Sequence, residues 1–99
     1  MNLTEQQKEK VKSLCLSYNV KTLSVFGSVL RADFNRDSDI DFIVDIDDAD
    51  PLSYADKYFE LKFSLEKLFG RAVDLLEEQS VKNPVLRQRI DKTKALIYG

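Results

Sequence analysis

Four residues of this 99-residue sequence have types and spacing that could do chemistry: Gly27 and Ser28, then ten residues, then Asp39 and Asp41. Gly27 has no Cβ, so the chain can turn there and a ligand can come close to the main chain. Ser28 can cap a helical turn that starts at Val29, and the open N–H groups at such a start attract phosphate oxygens. Asp39 and Asp41 open an alternating run. In an extended strand, Asp39, Asp41, Ile43 and Asp45 share one face, while Ile40, Phe42, Val44 and Ile46 share the other and belong to a core. Two carboxylates roughly 6.5 Å apart on one face repel each other. A divalent cation removes that repulsion, and oxygen-only ligands suit a hard ion such as Mg²⁺. A phosphate cradle beside a dicarboxylate metal site reads as nucleotide chemistry. The competing reading makes both aspartates the solvated face of an edge strand. Against it, Asp is disfavoured in strands, and the four residues recur at this spacing by chance in roughly one chain in a thousand.

Asp37, Asp39 and Asp41 also have the spacing that begins a calcium-binding EF-hand loop. Such a loop needs Gly at its sixth position and a bidentate Glu at its twelfth, where this sequence has Phe42 and Asp48. That reading fails. Gly27-Ser28, the ten-residue spacer and Asp39-x-Asp41, flanked by Phe26 and by Phe42-Ile43-Val44, instead resemble the signature of the DNA polymerase β nucleotidyltransferase superfamily. The brevity of the chain makes it similar to the minimal nucleotidyltransferases, including the MntA-type antitoxins of HEPN/MNT toxin–antitoxin pairs. The resemblance spans nearly the whole chain.

Other elements must position these residues. Thr4 to Gln7 reads as a capping box, and Val11, Leu14, Cys15 and Tyr18 follow at helical spacing, so an amphipathic helix is predicted to end near Asn19. Thr22 to Phe26 is predicted as a short strand, and Asp39 to Ile46 as a second. Between them, Arg31 can meet a triphosphate or pair with Asp33 or Asp37, and Ser38 can touch phosphate or end the turn. The carboxylates of Asp47 to Asp50 are read as solvated. Ser53 with Asp56 resembles a helix start, and Tyr58, Leu61, Leu65 and Leu68 form a core stripe closed by Gly70. Tyr54, Phe59 and Phe63 widen it, either as core or as a partner surface. Ala72 to Glu77 is a third strand. If it lies beside the Asp39 strand, Asp74 can converge on the same site. Asn83-Pro84 opens a last helix with Leu86 and Ile90 toward the core, and Ala95 to Tyr98 adds a final strand. The predicted fold is α/β (α+β): one domain over residues 1–99, a small mixed sheet backed by helices.

Composition bounds the chemistry. The chain has no histidine, which excludes His triads, His bases and His-rich zinc sites, and one cysteine, Cys15, which excludes an intrachain disulfide. Its net charge of −2 is unevenly spread: residues 33 to 50 hold eight Asp against one Arg. Such an acidic centre suits cations and repels a nucleic-acid backbone, so no direct DNA binding is expected. No apolar run approaches a membrane span and Met1 to Thr4 begins no signal peptide, so a cytoplasmic location is expected.

The resemblance implies the nucleotidyltransferase fold and transfer of a nucleoside monophosphate from an NTP such as ATP to a hydroxyl. Asp39, Asp41 and Asp74 would be the catalytic and metal-binding triad for two Mg²⁺ ions, with Gly27 and Ser28 fixing the phosphates, helped by Arg31 and Ser38. Larger relatives carry an extra helical domain that these residues do not supply, so a second chain is expected. Three accounts follow: an antitoxin that transfers AMP to a tyrosine of a cognate HEPN toxin, the catalytic subunit of a two-protein transferase for an aminoglycoside-like small molecule, or a module that neutralises its partner by binding alone.

Overall fold

The computed structural model describes residues 3–27 and 39–99. Among them the elements run α1 (Glu5–Ser17), β1 (Val20–Phe26), β2 (Ile40–Ile46), α2 (Pro51–Phe69), β3 (Val73–Glu77), a 3-10 turn (Glu78–Ser80), α3 (Pro84–Thr93) and β4 (Ala95–Tyr98). The strands form one mixed sheet in the order β3-β2-β1-β4. β2 pairs antiparallel with β1 and parallel with β3. A parallel pair needs a long crossover, and α2 is that crossover.

Local chemistry sets the boundaries. Thr4 Oγ1 accepts from the Gln7 N–H and Gln7 Oε1 accepts from the Thr4 N–H, both at 3.0 Å, which completes the capping box of α1. α1 ends at Ser17, and Asn19 takes a left-handed φ of 55° that lets β1 begin at Val20, two residues before the predicted start. α2 also starts earlier than predicted. Asp50, not Ser53, is its N-cap, accepting from the Leu52 N–H at 3.1 Å, and Pro51 takes the first turn where a missing N–H does no harm. The Ser53 hydroxyl instead donates to Asp48 at 2.5 Å, and Lys57 reaches the same carboxylate at 2.7 Å. Asp48 is therefore not the solvated loop residue its sequence context suggested. Lys57, then Ser53 and the Asp50 N–H, hold its carboxyl down at about 2.

The core face of the sheet matches the alternation. Ile40, Phe42, Val44 and Ile46 pack with Leu23 and Val25 of β1, Val73 and Leu75 of β3, Val11 and Cys15 of α1, and Leu61 and Leu65 of α2. Each fully buried side chain of this kind contributes about 1.5–3 kcal/mol. Burial pushes the Cys15 thiol up to about 12, so it behaves as a small apolar residue. The opposite face is less open than expected. Phe26, Ile43 and Ile90 form a second cluster with Leu76 and Val81, so α3 covers the middle of that face. Leu86, expected in the core, is 43% exposed, and Ile90 is the buried residue of α3. The first part of α3 is held instead by Arg87, which donates to the two Glu78 carboxylate oxygens at 3.2 and 2.9 Å. Among the described residues no helix is long and apolar enough to cross a membrane.

Candidate active site

The end of β1, the start of β2 and the start of β3 meet at one end of the sheet. Asp41 pairs with Phe26 of β1 on one side and directly with Asp74 of β3 on the other. Register partners in adjacent strands lie about 4.8 Å apart, and with alternation they project from the same face. Asp39 stands two residues before Asp41, exposed, just ahead of β2. Asp41 is half-buried and Asp74 exposed. The Ile40 N–H, between Asp39 and Asp41, donates to Ala72 O at 3.1 Å and pins this register at its open end.

Gly27 follows β1 with a φ of +71°, in the left-handed region that favours glycine. A Cβ there would fall on Asp41 Oδ2 and lie 3.3 Å from Asp41 Cγ. The absent side chain therefore makes room first for the Asp41 carboxylate, a reason the sequence did not reveal. Ser28, Arg31 and Ser38, the other proposed phosphate contacts, lie outside the described residues, as does the predicted helical turn after Gly27.

Asp74 sits in an edge strand, whose outward backbone groups normally face solvent. Here α2 holds them. The Glu66 carboxylate accepts from the Val73 N–H at 3.2 Å, and the Tyr58 hydroxyl donates to Leu75 O at 2.5 Å. The two bonds bracket Asp74 on either side. Sequence reasoning placed Tyr58 in the core stripe and passed over Glu66, because a glutamate on a helix carries no local sign of the strand amide it meets once the chain has turned at Gly70.

Two carboxylates as register partners repel by about 1 kcal/mol in water-like surroundings. Solvent exposure of Asp74 keeps the penalty near that lower figure, so the fold tolerates the pair. Among the described residues no three acidic, Cys or His side chains stand together as a group that could hold a metal ion, so the expected gathering of Asp39, Asp41 and Asp74 into one three-carboxylate site is not seen. Asp41 and Asp74 alone are register partners, and a pair of hard oxygen donors suits Mg²⁺, an ion that keeps several waters and takes one or two carboxylates.

The family model described as polymerase beta, nucleotidyltransferase, matches residues 9–99. The chain belongs to this nucleotidyltransferase family. A Methanocaldococcus jannaschii protein named provisionally as a protein adenylyltransferase is 38% identical over 81 residues, 82% of this chain and 78% of its own. Protein adenylyltransferase MntA of Thermococcus cleftensis is 36% identical over 76 residues, 77% of this chain and 74% of its own. Among solved structures, one described provisionally as a minimal nucleotidyltransferase has a TM-score of 0.72 at 32% identity, covering 91% of this chain and 88% of the other. A crystal structure of a toxin–antitoxin with AMP-PNP has a TM-score of 0.69 at 25% identity, covering 93% and 73%. The mixed sheet with its flanking helices is thus the nucleotidyltransferase fold.

In this nucleotidyltransferase the Glu66 bond has a measurable consequence. Glu66→Ala removes the acceptor of the Val73 N–H, which lowers stability by about 1–2 kcal/mol and loosens the backbone that carries Asp74. Nucleotidyl transfer is expected to fall about tenfold or more, in kcat rather than in KM for the nucleotide. Glu66→Gln keeps an acceptor oxygen and restores both. Thermal melts and initial rates of the three proteins check this, and equal rates in all three would remove Glu66 from the support of Asp74.

Proposed function

We propose that this nucleotidyltransferase transfers AMP from ATP to a tyrosine hydroxyl of a cognate HEPN toxin and so acts as its antitoxin. The observation that carries the reading is the direct pairing of Asp41 with Asp74 beside a glycine that leaves room for the Asp41 carboxylate. Relatives named protein adenylyltransferases support AMP as the group transferred, and a fold neighbour that is a toxin–antitoxin with AMP-PNP supports the setting.

Asp39, Asp41 and Asp74 would hold two Mg²⁺ ions, which when bound neutralise triphosphate charge and lower the pKa of an attacking hydroxyl. Gly27 and Ser28 orient the phosphates for in-line attack. The acceptor oxygen bonds to the α-phosphorus as the bond to the leaving pyrophosphate breaks, and Asp74 takes the hydroxyl proton. A phenol suits this step, since its pKa near 10 lies far below that of a serine hydroxyl. The acceptor must be presented by the partner, because orientation of that hydroxyl is much of what catalysis requires.

The test is intact-mass spectrometry of the helical protein that copurifies with this chain from its native host. With this enzyme, ATP and Mg²⁺, the partner should gain one or more AMP increments, and Asp39→Asn should abolish them. If the partner's mass stays unchanged while it is still silenced, and Asp39→Asn silences it equally well, neutralisation is by binding and the transfer reading is wrong.

A further inference from the structure

β3 ends at Glu77, away from the carboxylate pair, and there a cavity of about 390 Å³ opens between the strand and the first turns of α2. Its lining includes Asp48, Tyr54, Tyr58, Phe59, Glu77 and Gln79. The Tyr54 hydroxyl is buried in this wall without a hydrogen-bond partner in the described chain. A buried hydroxyl left so is costly unless something from outside meets it. The Glu77 carboxylate stands close enough to act on this phenol. Burial first, then the Glu77 carboxylate, push the Tyr54 phenol up to about 12, and the same two causes raise Tyr58.

The charges in this cavity are unbalanced. Asp48 is matched by Lys57 at 2.7 Å. Glu77 has the Ser80 hydroxyl at 3.3 Å and the Tyr54 phenol as polar neighbours and, among the described residues, no ion-pair partner. No Lys or Arg lines the cavity. Aromatic faces complete it, with Tyr58 and Phe59 edge to face at 5.1 Å. An unmatched carboxylate among aromatic rings is the chemistry that receives a cation, and a planar guanidinium can both bond the carboxylate and stack on the rings.

The exposed face of α2 that continues from the lining residue Phe59 says what kind of molecule carries that cation. Phe59 stacks on Phe63 at 6.5 Å, and Leu52, Phe59 and Phe63 are 80%, 51% and 61% exposed. Their spacing of seven and then four residues puts them on one face of α2. A small free cation would leave this stripe uncovered, whereas a polypeptide with an arginine among apolar side chains covers both. We propose that the Glu77 cavity and the α2 stripe together dock an arginine-bearing apolar segment of a protein partner, with its guanidinium seated between Glu77 and the aromatic rings. The inference concerns binding alone and stands whether or not the carboxylate pair transfers AMP.

The probe is a blocked helical peptide with one arginine and leucines one and two turns away, compared with the same peptide carrying citrulline, which keeps the shape and loses the charge. Titration into the full chain should show the arginine peptide binding about tenfold tighter, with NMR shifts at Tyr54, Phe59 and Glu77 rather than at Asp41 and Asp74. Glu77→Gln should erase the difference between peptides, and Phe63→Ser should weaken both alike. Tyr54→Phe, which removes the unmatched hydroxyl and keeps the ring, should fold normally and weaken the arginine peptide, so the proposal stays testable if Glu77→Gln is unstable. Equal binding of the two peptides, or no binding of either, overturns it. So does sedimentation showing that the chain dimerises and that Phe63→Ser makes it monomeric, which would make a second copy the occupant.

Discussion

Asp74→Asn and Asp41→Asn are each expected to lower AMP transfer by on the order of a thousandfold while leaving the chain folded. The two side chains are register partners on adjacent strands, so removing either charge takes away half of the oxygen pair that would hold a divalent cation. The same change relieves a repulsion of about 1 kcal/mol in the protein without ligand. Melting temperature of Asp74→Asn without ligand should therefore hold or rise slightly, because Asp74 is exposed. Mg²⁺ with a nonhydrolysable ATP analogue should raise it for the parent chain, because a ligand that binds only the folded state stabilises it by mass action, and should not raise it for either variant. Asn is the right replacement at Asp41, which is half-buried against Gly27, because it keeps the shape. Full transfer by Asp74→Asn would place the chemistry elsewhere. Loss of the circular dichroism signal would make the effect indirect.

That pair marks the limit of what could be read from residues alone. Alternation from Ile40 to Ile46 identified β2 and its core face, since one buried face imposes a strict period of two. Capping at Thr4 and Asn83, and the left-handed Gly70 that ends α2, were equally local and equally legible. The pairing of Asp41 with Asp74 was not, because register between strands more than thirty residues apart depends on how α2 crosses over and on bonds such as Ile40 N–H to Ala72 O. The start of α2 was misplaced because Ser53 and Asp50 are both good caps, and only the structure shows Ser53 committed to Asp48. The second apolar cluster was missed for a related reason. Ile43 lies among aspartates in sequence and meets Ile90 only after the chain has folded back. Family resemblance supplied what periodicity could not, namely the expectation of a role for Asp74 and of a second chain.

Gly27 offers the sharpest separation of backbone strain from site geometry, because the fold contains its own control. Gly27 and Gly70 have nearly the same left-handed φ, +71° and +66°. A Cβ on Gly70 meets nothing within 4 Å, whereas one on Gly27 falls on the Asp41 carboxylate. Alanine at either position should cost about 1–2 kcal/mol of stability from the left-handed backbone alone. Gly70→Ala should stop there and keep its transfer rate. Gly27→Ala must also push the Asp41 carboxylate aside. That side chain can swing at modest cost in stability, but displacement by about 1 Å can cost a hundredfold in rate. Gly27→Val should be worse on both counts, since a β-branched residue is an outlier at positive φ, and should lose ATP affinity while partner binding persists. The decisive measurement sets transfer rate against melting temperature for Gly27→Ala and Gly70→Ala. Equal rates at equal stability would mean that Gly27 serves only the turn and that the Asp41 carboxylate need not lie where the structure has it.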